Sequence, residues 1–132
     1  MTLKHSLAAP DGIAPPLGAY AHGVEIAAGA RQIVISGQVG VRPDGSVADG
    51  IEAQLDCAWN NILTILTAAG LTVSEIVKVT TYVTHPDHFK VHPKVRARVL
   101  GDHRAAATAV CVPALASPEF LCEIEVIAAS TS

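Results

Sequence analysis

The sequence predicts an α+β domain in which strands and helices follow the order β-β-α-β-α-β-β. Segments in which polar and apolar residues alternate flank two longer segments whose apolar residues recur every three or four positions. Glycines and prolines separate these segments. The chain of 132 residues has the length of a single domain, spanning residues 1–132. We therefore expect one sheet with two helices packed on one face.

Composition narrows the class of protein. Half of the residues are hydrophobic, 16% are charged and 4% are aromatic. A small chain of this kind is expected to cover part of its apolar surface with further copies of itself. The net charge is −3 and the nine Lys and Arg residues are scattered, so we do not expect a nucleic-acid partner.

The sequence contains no recognisable targeting or membrane signal. The first 16 residues lack the apolar core of a signal peptide, and no apolar run approaches the length that spans a bilayer. Cys57, Cys111 and Cys122 show no CxxC spacing, and we expect three reduced, buried thiols. These features favour a soluble cytoplasmic protein with no membrane partner.

The predicted elements can be placed along the chain. They are an extended lead-in, two strands, a helix, a strand, a second helix and two final strands, over residues 1–16, 20–28, 32–41, 50–69, 75–84, 85–100, 107–113 and 120–129. Gly37 and Gly40 in the second strand indicate either close approach of another backbone or a ligand, or a bulge. Asp49 is predicted to cap the first helix, and Gly70 to follow its last turn.

Three histidines precede or begin the second helix. His85, His88 and His92 follow a 0, 3, 7 spacing, which would place metal ligands on one helix face. Pro86 and Pro93 argue against a continuous helix through all three, so the helix either kinks or begins only at His92. We therefore predict no metal site. The absence of GxGxxG, P-loop and HExxH patterns gives no support for another cofactor.

The last predicted strand carries two carboxylates on an otherwise apolar face. Cys122, Ile124 and Val126 alternate with Glu123 and Glu125, whose side chains would lie about 6–7 Å apart. Burying unpaired charges is costly, so this face is expected to meet protein partners, solvent or a ligand. The glutamates are either an acid/base pair or charges satisfied by other protein groups, and the pattern alone does not decide between them.

Several short motifs, taken in order, resemble the Rid family, also called YjgF or L-PSP endoribonuclease-like. Leu17-Gly18-Ala19-Tyr20 resembles the family's GPYSQ element, and Ser36-Gly37-Gln38-Val39 resembles its SGQI element. Gln54 with Asn61 matches Q-x6-N, and Glu123-Ile124-Glu125-Val126-Ile127-Ala128 resembles the IEIEAIA element. Ala68-Ala69-Gly70 and the strand at residues 77–83 also fall in the corresponding places. The resemblance implies a chorismate-mutase-like fold assembled as a homotrimeric barrel, with sites in clefts between subunits.

The resemblance also implies an activity, in which reactive imines and enamines are hydrolysed to a carbonyl compound and ammonia. The enzymes of this family act on substrates such as 2-iminobutanoate and 2-iminopropanoate, and they need no metal or organic cofactor. Carried over by position, Glu123 would hold or activate the water. The substrate-binding positions would be Tyr20, Ser36, Gly37, Gln38, Val39, His92, Ala107 and Ala109.

The sequence departs from the family pattern where a carboxylate-binding arginine is expected. The P-A-R-[ST] element corresponds to residues 105–108, so Ala107 occupies the arginine position, and Ala109 that of a frequent cysteine. Alanine cannot form the bidentate, charged pair that arginine makes with a carboxylate, so 2-imino-acid activity is expected to be weak or absent. Arg104 is a candidate replacement. The alternatives are a non-catalytic trimer that binds a small molecule or protein, and a ribonuclease.

Overall fold

The computed structural model describes residues 5–132 and shows a four-stranded mixed sheet with helices on one face. The elements are α1 (His5–Ala8), β1 (Arg31–Gln38), α2 (Ile51–Ala68), a 3₁₀ helix (Val73–Glu75), β2 (Ile76–Val83), a second 3₁₀ helix (Pro86–Lys90), α3 (His92–Leu100), β3 (Ala106–Cys111) and β4 (Cys122–Ser130). The strand order is β1-β4-β2-β3, in which β4 is antiparallel to both neighbours and β3 is parallel to β2. The α+β prediction is confirmed.

The core lies between the sheet and the long helices. Ile124 and Val126 of β4 are at most 1% exposed and belong to the same buried cluster as Trp59 of α2 and Val95 of α3. The residues that alternate with them on β4 are only half-buried and lie on the opposite, open face of the sheet. The predicted period of two in this strand is therefore confirmed.

The predicted strand at residues 20–28 is not formed. Ala21 alone bridges to Ala106, and the Ala21 N–H donates to the Ala105 carbonyl at 2.9 Å. A strand needs a continuous ladder of backbone pairs with a neighbouring strand. Within the described residues, this segment forms a backbone pair only at Ala21. The extended lead-in is also wrong in part, because His5–Ala8 forms a helical turn. Residues 1–4 of that lead-in lie outside the described residues.

Glycines set both ends of α2. The N-cap is Gly50, with a φ of 87°, and no side chain caps the first turn, so the prediction of Asp49 as the cap was wrong. The chain turns into the helix one residue after Asp49, which leaves its carboxylate outside the cap position. Gly70 has a φ of 74°, and the N–H groups of Gly70 and Leu71 donate to carbonyls of the last turn, as predicted for Gly70.

The late start of the second long helix is confirmed. Pro86–Lys90 forms a 3₁₀ helix, and α3 begins at His92 with Pro93 in its first turn, where proline needs no hydrogen-bond partner. The other predicted elements are present, with their ends displaced by a few residues. Within residues 5–132, none of the helices has the length and apolar character needed to cross a bilayer.

The three cysteines are free but differ in exposure. Cys122 is buried, Cys57 is half-buried and Cys111 is exposed. The prediction that all three are buried was therefore wrong. Cys111 is exposed because it lies on β3, which is an edge strand of the sheet.

Candidate active site

The predicted site residues fall into two groups on opposite sides of the sheet. The first group lies at the end of β1 and consists of Ser36, Gly37, Gln38, Val39 and Glu123. The second group lies on the helix side of the sheet, along the edge strand β3 and at the start of α3, and consists of Tyr20, His92, Ala107 and Ala109. Within one chain the structure does not bring the two groups together.

Glu123 lies against a break in the pairing of β1 with β4. The register shifts between Ile35 and Gln38, which leaves Ser36 and Gly37 in a bulge. A Cβ added to Gly37 would lie 2.7 Å from the carboxylate carbon of Glu123. The bulge interpretation of Gly37 is thus confirmed, and the group that approaches it closely is the Glu123 side chain rather than another backbone or a ligand. The bare glycine backbone provides the space that the Glu123 carboxylate occupies.

The two glutamates of β4 differ in their partners. The Tyr82 hydroxyl donates to Glu125 Oε1 at 2.8 Å, and this bond, with burial adding to it, raises the pKa of Tyr82. Glu123 is half-buried and pairs with Tyr82 in the strand ladder. Among the side chains that the structure describes, none donates a hydrogen bond to Glu123. Its carboxylate is therefore free to contact water or a ligand.

Gln54 of α2 holds the segment that leads into β4. Its side chain is 2% exposed and makes three hydrogen bonds of 2.9–3.1 Å with backbone groups, namely the Ala48 carbonyl, the Glu119 carbonyl and the Leu121 N–H. Leu121 lies two residues before Glu123. Gln54 therefore positions the start of β4 relative to α2.

Asn61 holds the chain that follows β1. Its Nδ2 donates to the carbonyls of Val39 at 3.4 Å and Val41 at 3.1 Å. Seven positions separate Asn61 from Gln54, so both project from one side of α2. The sequence identified this pair as a motif without a role. The structure shows that both members are positioning residues.

The backbone of residues 36–39 is partly committed to internal hydrogen bonds. The Ser36 carbonyl accepts a bond from Gln38 Nε2 at 3.1 Å, and the Val39 carbonyl accepts the bond from Asn61. Gly40, which follows, has the same kind of crowding as Gly37. A Cβ there would lie 2.7 Å from the Gln54 Cα, so the chain passes directly against α2.

Ala107 and Ala109 point to the helix side of the sheet. They stand opposite Val79 and Thr81 of β2, which are both buried. Residues opposite each other in a ladder share a face. Ala107 is half-buried and Ala109 is exposed. Their small side chains leave space at this edge and supply no charge.

Tyr20 is held beside the start of β3. Its hydroxyl accepts a hydrogen bond from the Leu17 N–H at 3.1 Å, and its own N–H donates to the Gly18 carbonyl at 2.9 Å. The next residue, Ala21, forms the bridge to β3. The ring is thus fixed by local bonds at the edge that Ala107 occupies.

His92 is the first residue of α3 and is 7% exposed. Its ring lies edge-on to Phe89, with 6.0 Å between the ring centroids. Burial, with a smaller contribution from Arg96, lowers the pKa of His92 from 6.5 to about 4. The imidazole is therefore neutral near pH 7 and can donate or accept a hydrogen bond.

The buried His92 should make the free energy of unfolding depend on pH. Its pKa is about 4 when folded against 6.5 for the ordinary side chain, so between these values the unfolded chain binds more protons. The stabilisation is complete above about pH 6.5 and should fall by about 1–3 kcal/mol as the pH drops towards 4. Urea unfolding of the parent chain and His92→Gln at several pH values measures this. An equal pH dependence in both would contradict the prediction.

Arg104 is directed to the end of α3. Its Nη1 donates to the carbonyls of Gly101 at 2.8 Å and His103 at 3.1 Å. A cation at this position is favourable because the last carbonyls of a helix carry partial negative charge. The candidate replacement for the missing arginine is thus committed, at least through this nitrogen, to backbone groups.

The described residues include no group of three or more His, Cys, Asp and Glu side chains arranged to hold a metal ion. His85 and His88 lie with their ring centroids 5.9 Å apart, but His85 Nδ1 accepts a hydrogen bond from the Asp87 N–H. His92 is buried at the start of α3. The 0, 3, 7 histidines therefore do not share one helix.

Together these features define a small α+β domain in which Glu123, on the open sheet face, is half-buried and has no hydrogen-bond donor among the described side chains. The sequence matches the family described as Endoribonuclease L-PSP over residues 12–130. The 2-iminobutanoate/2-iminopropanoate deaminase of Salmonella typhimurium is 33% identical over 115 residues, which cover 85% of this chain and 88% of that protein.

Solved structures agree with this match. The conserved Rid-family protein YyfB from Yersinia pestis has a TM-score of 0.81 at 32% identity, and the likeness covers 91% of this chain and 94% of that one. TdcF from E. coli with bound serine has a TM-score of 0.72 at 27% identity, covering 99% and 100%. This chain therefore belongs to the Rid (YjgF, L-PSP) family, as its ordered motifs predicted.

Proposed function

We propose that this protein hydrolyses a reactive imine or enamine of a small metabolite to a carbonyl compound and ammonia in the cytoplasm. The observation that carries the proposal is the Glu123 carboxylate, which is half-buried beside the Gly37 bulge and has no partner among the described side chains. Hydrolysis of a C=N bond needs a group that takes a proton from water and returns it to nitrogen. The deaminase name of the Salmonella relative supports the same class of reaction.

Glu123 would carry the proton in the hydrolysis of the imine. An enamine first becomes the imine by gaining a proton on carbon and losing one from nitrogen. Water then attacks the imine carbon while the Glu123 carboxylate accepts a water proton; a C–O bond forms, the C=N π pair moves to nitrogen, and the accepted proton passes to that nitrogen to give the carbinolamine. The carbinolamine hydroxyl then gives its proton, through Glu123, to nitrogen, the C–N bond breaks with its electron pair, and ammonia leaves as the carbonyl forms. No electrons are exchanged, so the chemistry requires no redox cofactor.

We propose that 2-imino acids are poor substrates of this chain. Ala107 is half-buried on the helix side of β3 and has no charge with which to hold a substrate carboxylate. An imine without a carboxylate makes no such contact, so alanine at position 107 should not slow its hydrolysis. We therefore expect an uncharged imine to be hydrolysed at least as fast as the matching imino acid.

We also propose that the complete cleft forms between copies in a homotrimer. The Glu123 group and the group of Tyr20 and His92 lie on opposite sides of the sheet, so a second copy must supply the missing half. The open face carries Val34, which is 76% exposed and stands opposite Ile127. A neighbouring copy would cover this apolar surface. Sedimentation should give three times the chain mass of 13.6 kDa, and a monomer would remove the shared cleft.

Ammonia release tests the proposed reaction directly. Freshly generated 2-iminopropanoate and its uncharged amide, 2-iminopropanamide, are each compared with their spontaneous hydrolysis. We expect the chain to accelerate hydrolysis of the amide clearly and that of the acid weakly. Acceleration of neither would overturn the proposed function and favour a non-catalytic ligand-binding member of the family.

A further inference from the structure

Arg96 lies beside the second group of site residues. It is one helical turn after His92 on α3, so both side chains lie on the same side of the helix. Its Nη2 is 3.9 Å from the position that a Cβ on Gly18 would take, and the Tyr20 ring carbon Cδ1 is 3.7 Å from the same point. The guanidinium and the Tyr20 ring therefore flank one spot above Gly18.

Arg96 differs from its neighbour Arg98 in its charge environment. Arg98 pairs with Glu52 and Asp56 of α2, at 3.3 Å in each case. Arg96 is half-buried, and no carboxylate in the described part of the chain pairs with it. Burial lowers the pKa of Arg96, and the like charge of Arg104 adds to this effect. A partly buried cation near a second cation is stabilised when an anion joins them.

We infer that Arg96 is the anion-binding residue of the cleft and that it takes a small carboxylate-bearing ligand, with Tyr20 and His92 beside it. Arginine holds a carboxylate through two parallel N–H···O bonds, which fix the ligand's orientation as well as its charge. Arg104 is the weaker candidate because its Nη1 already donates to Gly101 and His103. Among the described residues, no carbonyl accepts a hydrogen bond from the Arg96 guanidinium.

This inference rests on the proposed function, and it adds that the ligand of the proposed cleft is negatively charged. Arg96 and Ala107 both lie on the helix side of the sheet, but Arg96 projects from α3 and Ala107 from β3. Arg96 would therefore reach a carboxylate from the helix, whereas an arginine at position 107 would reach it from the strand. Binding of a carboxylate is therefore compatible with weak hydrolysis of 2-iminopropanoate, and the two properties are measured separately.

Titration of the full chain with pyruvate, and with pyruvamide as its uncharged counterpart, tests the inference by calorimetry. Arg96→Gln should weaken pyruvate binding by about 10- to 100-fold, the loss expected for hydrogen bonds to a charged group. Arg98→Gln makes the same change of charge on the same helix and should leave pyruvate binding unchanged. Arg96→Lys, which keeps the charge but loses the two-pronged geometry, should be intermediate. Pyruvamide binding should be the same in the parent chain and Arg96→Gln.

Three results would overturn the inference. They are equal affinity of the parent chain for pyruvate and pyruvamide, absence of pyruvate binding, or an equal loss in Arg98→Gln. If Arg96→Gln does not fold, the side-chain ¹⁵N signal of Arg96 in the parent chain is followed instead, and an unchanged signal on adding pyruvate is the overturning result. Pyruvate binding through Arg96 without ammonia release upholds this inference while refuting the proposed reaction. Ammonia release without pyruvate binding refutes this inference and supports the proposed reaction.

Discussion

Replacing Ala107 by arginine should raise kcat/KM for 2-iminopropanoate by about one to three orders of magnitude. A charged, bidentate pair to a substrate carboxylate is worth about 2–5 kcal/mol when it lies away from solvent. The position suits such a residue, because Ala107 is half-buried on the helix side of β3, opposite the buried Val79. Ammonia release under initial-rate conditions measures the gain.

Two controls separate charge from shape in this experiment. Ala107→Met introduces a long side chain without charge and should give no gain. The uncharged amide of the substrate should gain nothing from Ala107→Arg. A parent chain that already hydrolyses 2-iminopropanoate rapidly, with no further gain in Ala107→Arg, would show that Ala107 does not limit the activity. That result would also assign the carboxylate contact to another cation of the cleft.

Replacing Glu123 by glutamine should lower the rate of ammonia release by about 10²- to 10⁴-fold for any imine that the parent chain hydrolyses. The amide cannot take a proton from water, and general acid/base groups contribute factors of this size. Glutamine has nearly the same shape as glutamate, so it fits the space beside Gly37 and the fold should be retained. The comparison is made with 2-iminopropanamide, whose hydrolysis does not depend on a carboxylate contact.

Glu125→Gln is the matched control for this prediction. Glu125 is two residues along the same face of β4 and accepts a hydrogen bond from the Tyr82 hydroxyl, which a glutamine oxygen can also accept. Its replacement should change the rate little. Equal losses in Glu123→Gln and Glu125→Gln would contradict the assignment of proton transfer to Glu123 alone.

The features of the fold that depend on local periodicity were predictable from the sequence. The alternation of Ile124 and Val126 with glutamates predicted which face of β4 is buried, because a strand exposes every second residue. The prediction of a strand at residues 20–28 was wrong because a strand also requires a partner, and within the described residues only Ala21 reaches one. The prediction that Asp49 caps α2 was wrong because Gly50 occupies the N-cap position. Both errors concern the path of the backbone in three dimensions.

The chemical contacts of the site were less predictable. The alternation pattern could not distinguish Glu123 from Glu125, and only the family resemblance singled out Glu123, because the physical difference lies in the cross-strand hydroxyl of Tyr82. Arg96 gave no signal at all, since its position beside Gly18 joins segments far apart in the chain. Gln54 and Asn61 were recognisable as a motif, but their role depends on which carbonyls lie near α2.

Because the two groups of site residues lie on opposite sides of one sheet, an isolated copy would hold two halves of a cleft and no complete one. Specific activity would then depend on protein concentration, and would disappear on dilution below the point at which copies associate. In a closed ring each copy would lend Glu123 to one neighbour and Tyr20 with His92 to the other. Cyclic closure is the arrangement in which every half finds its complement and none is left over.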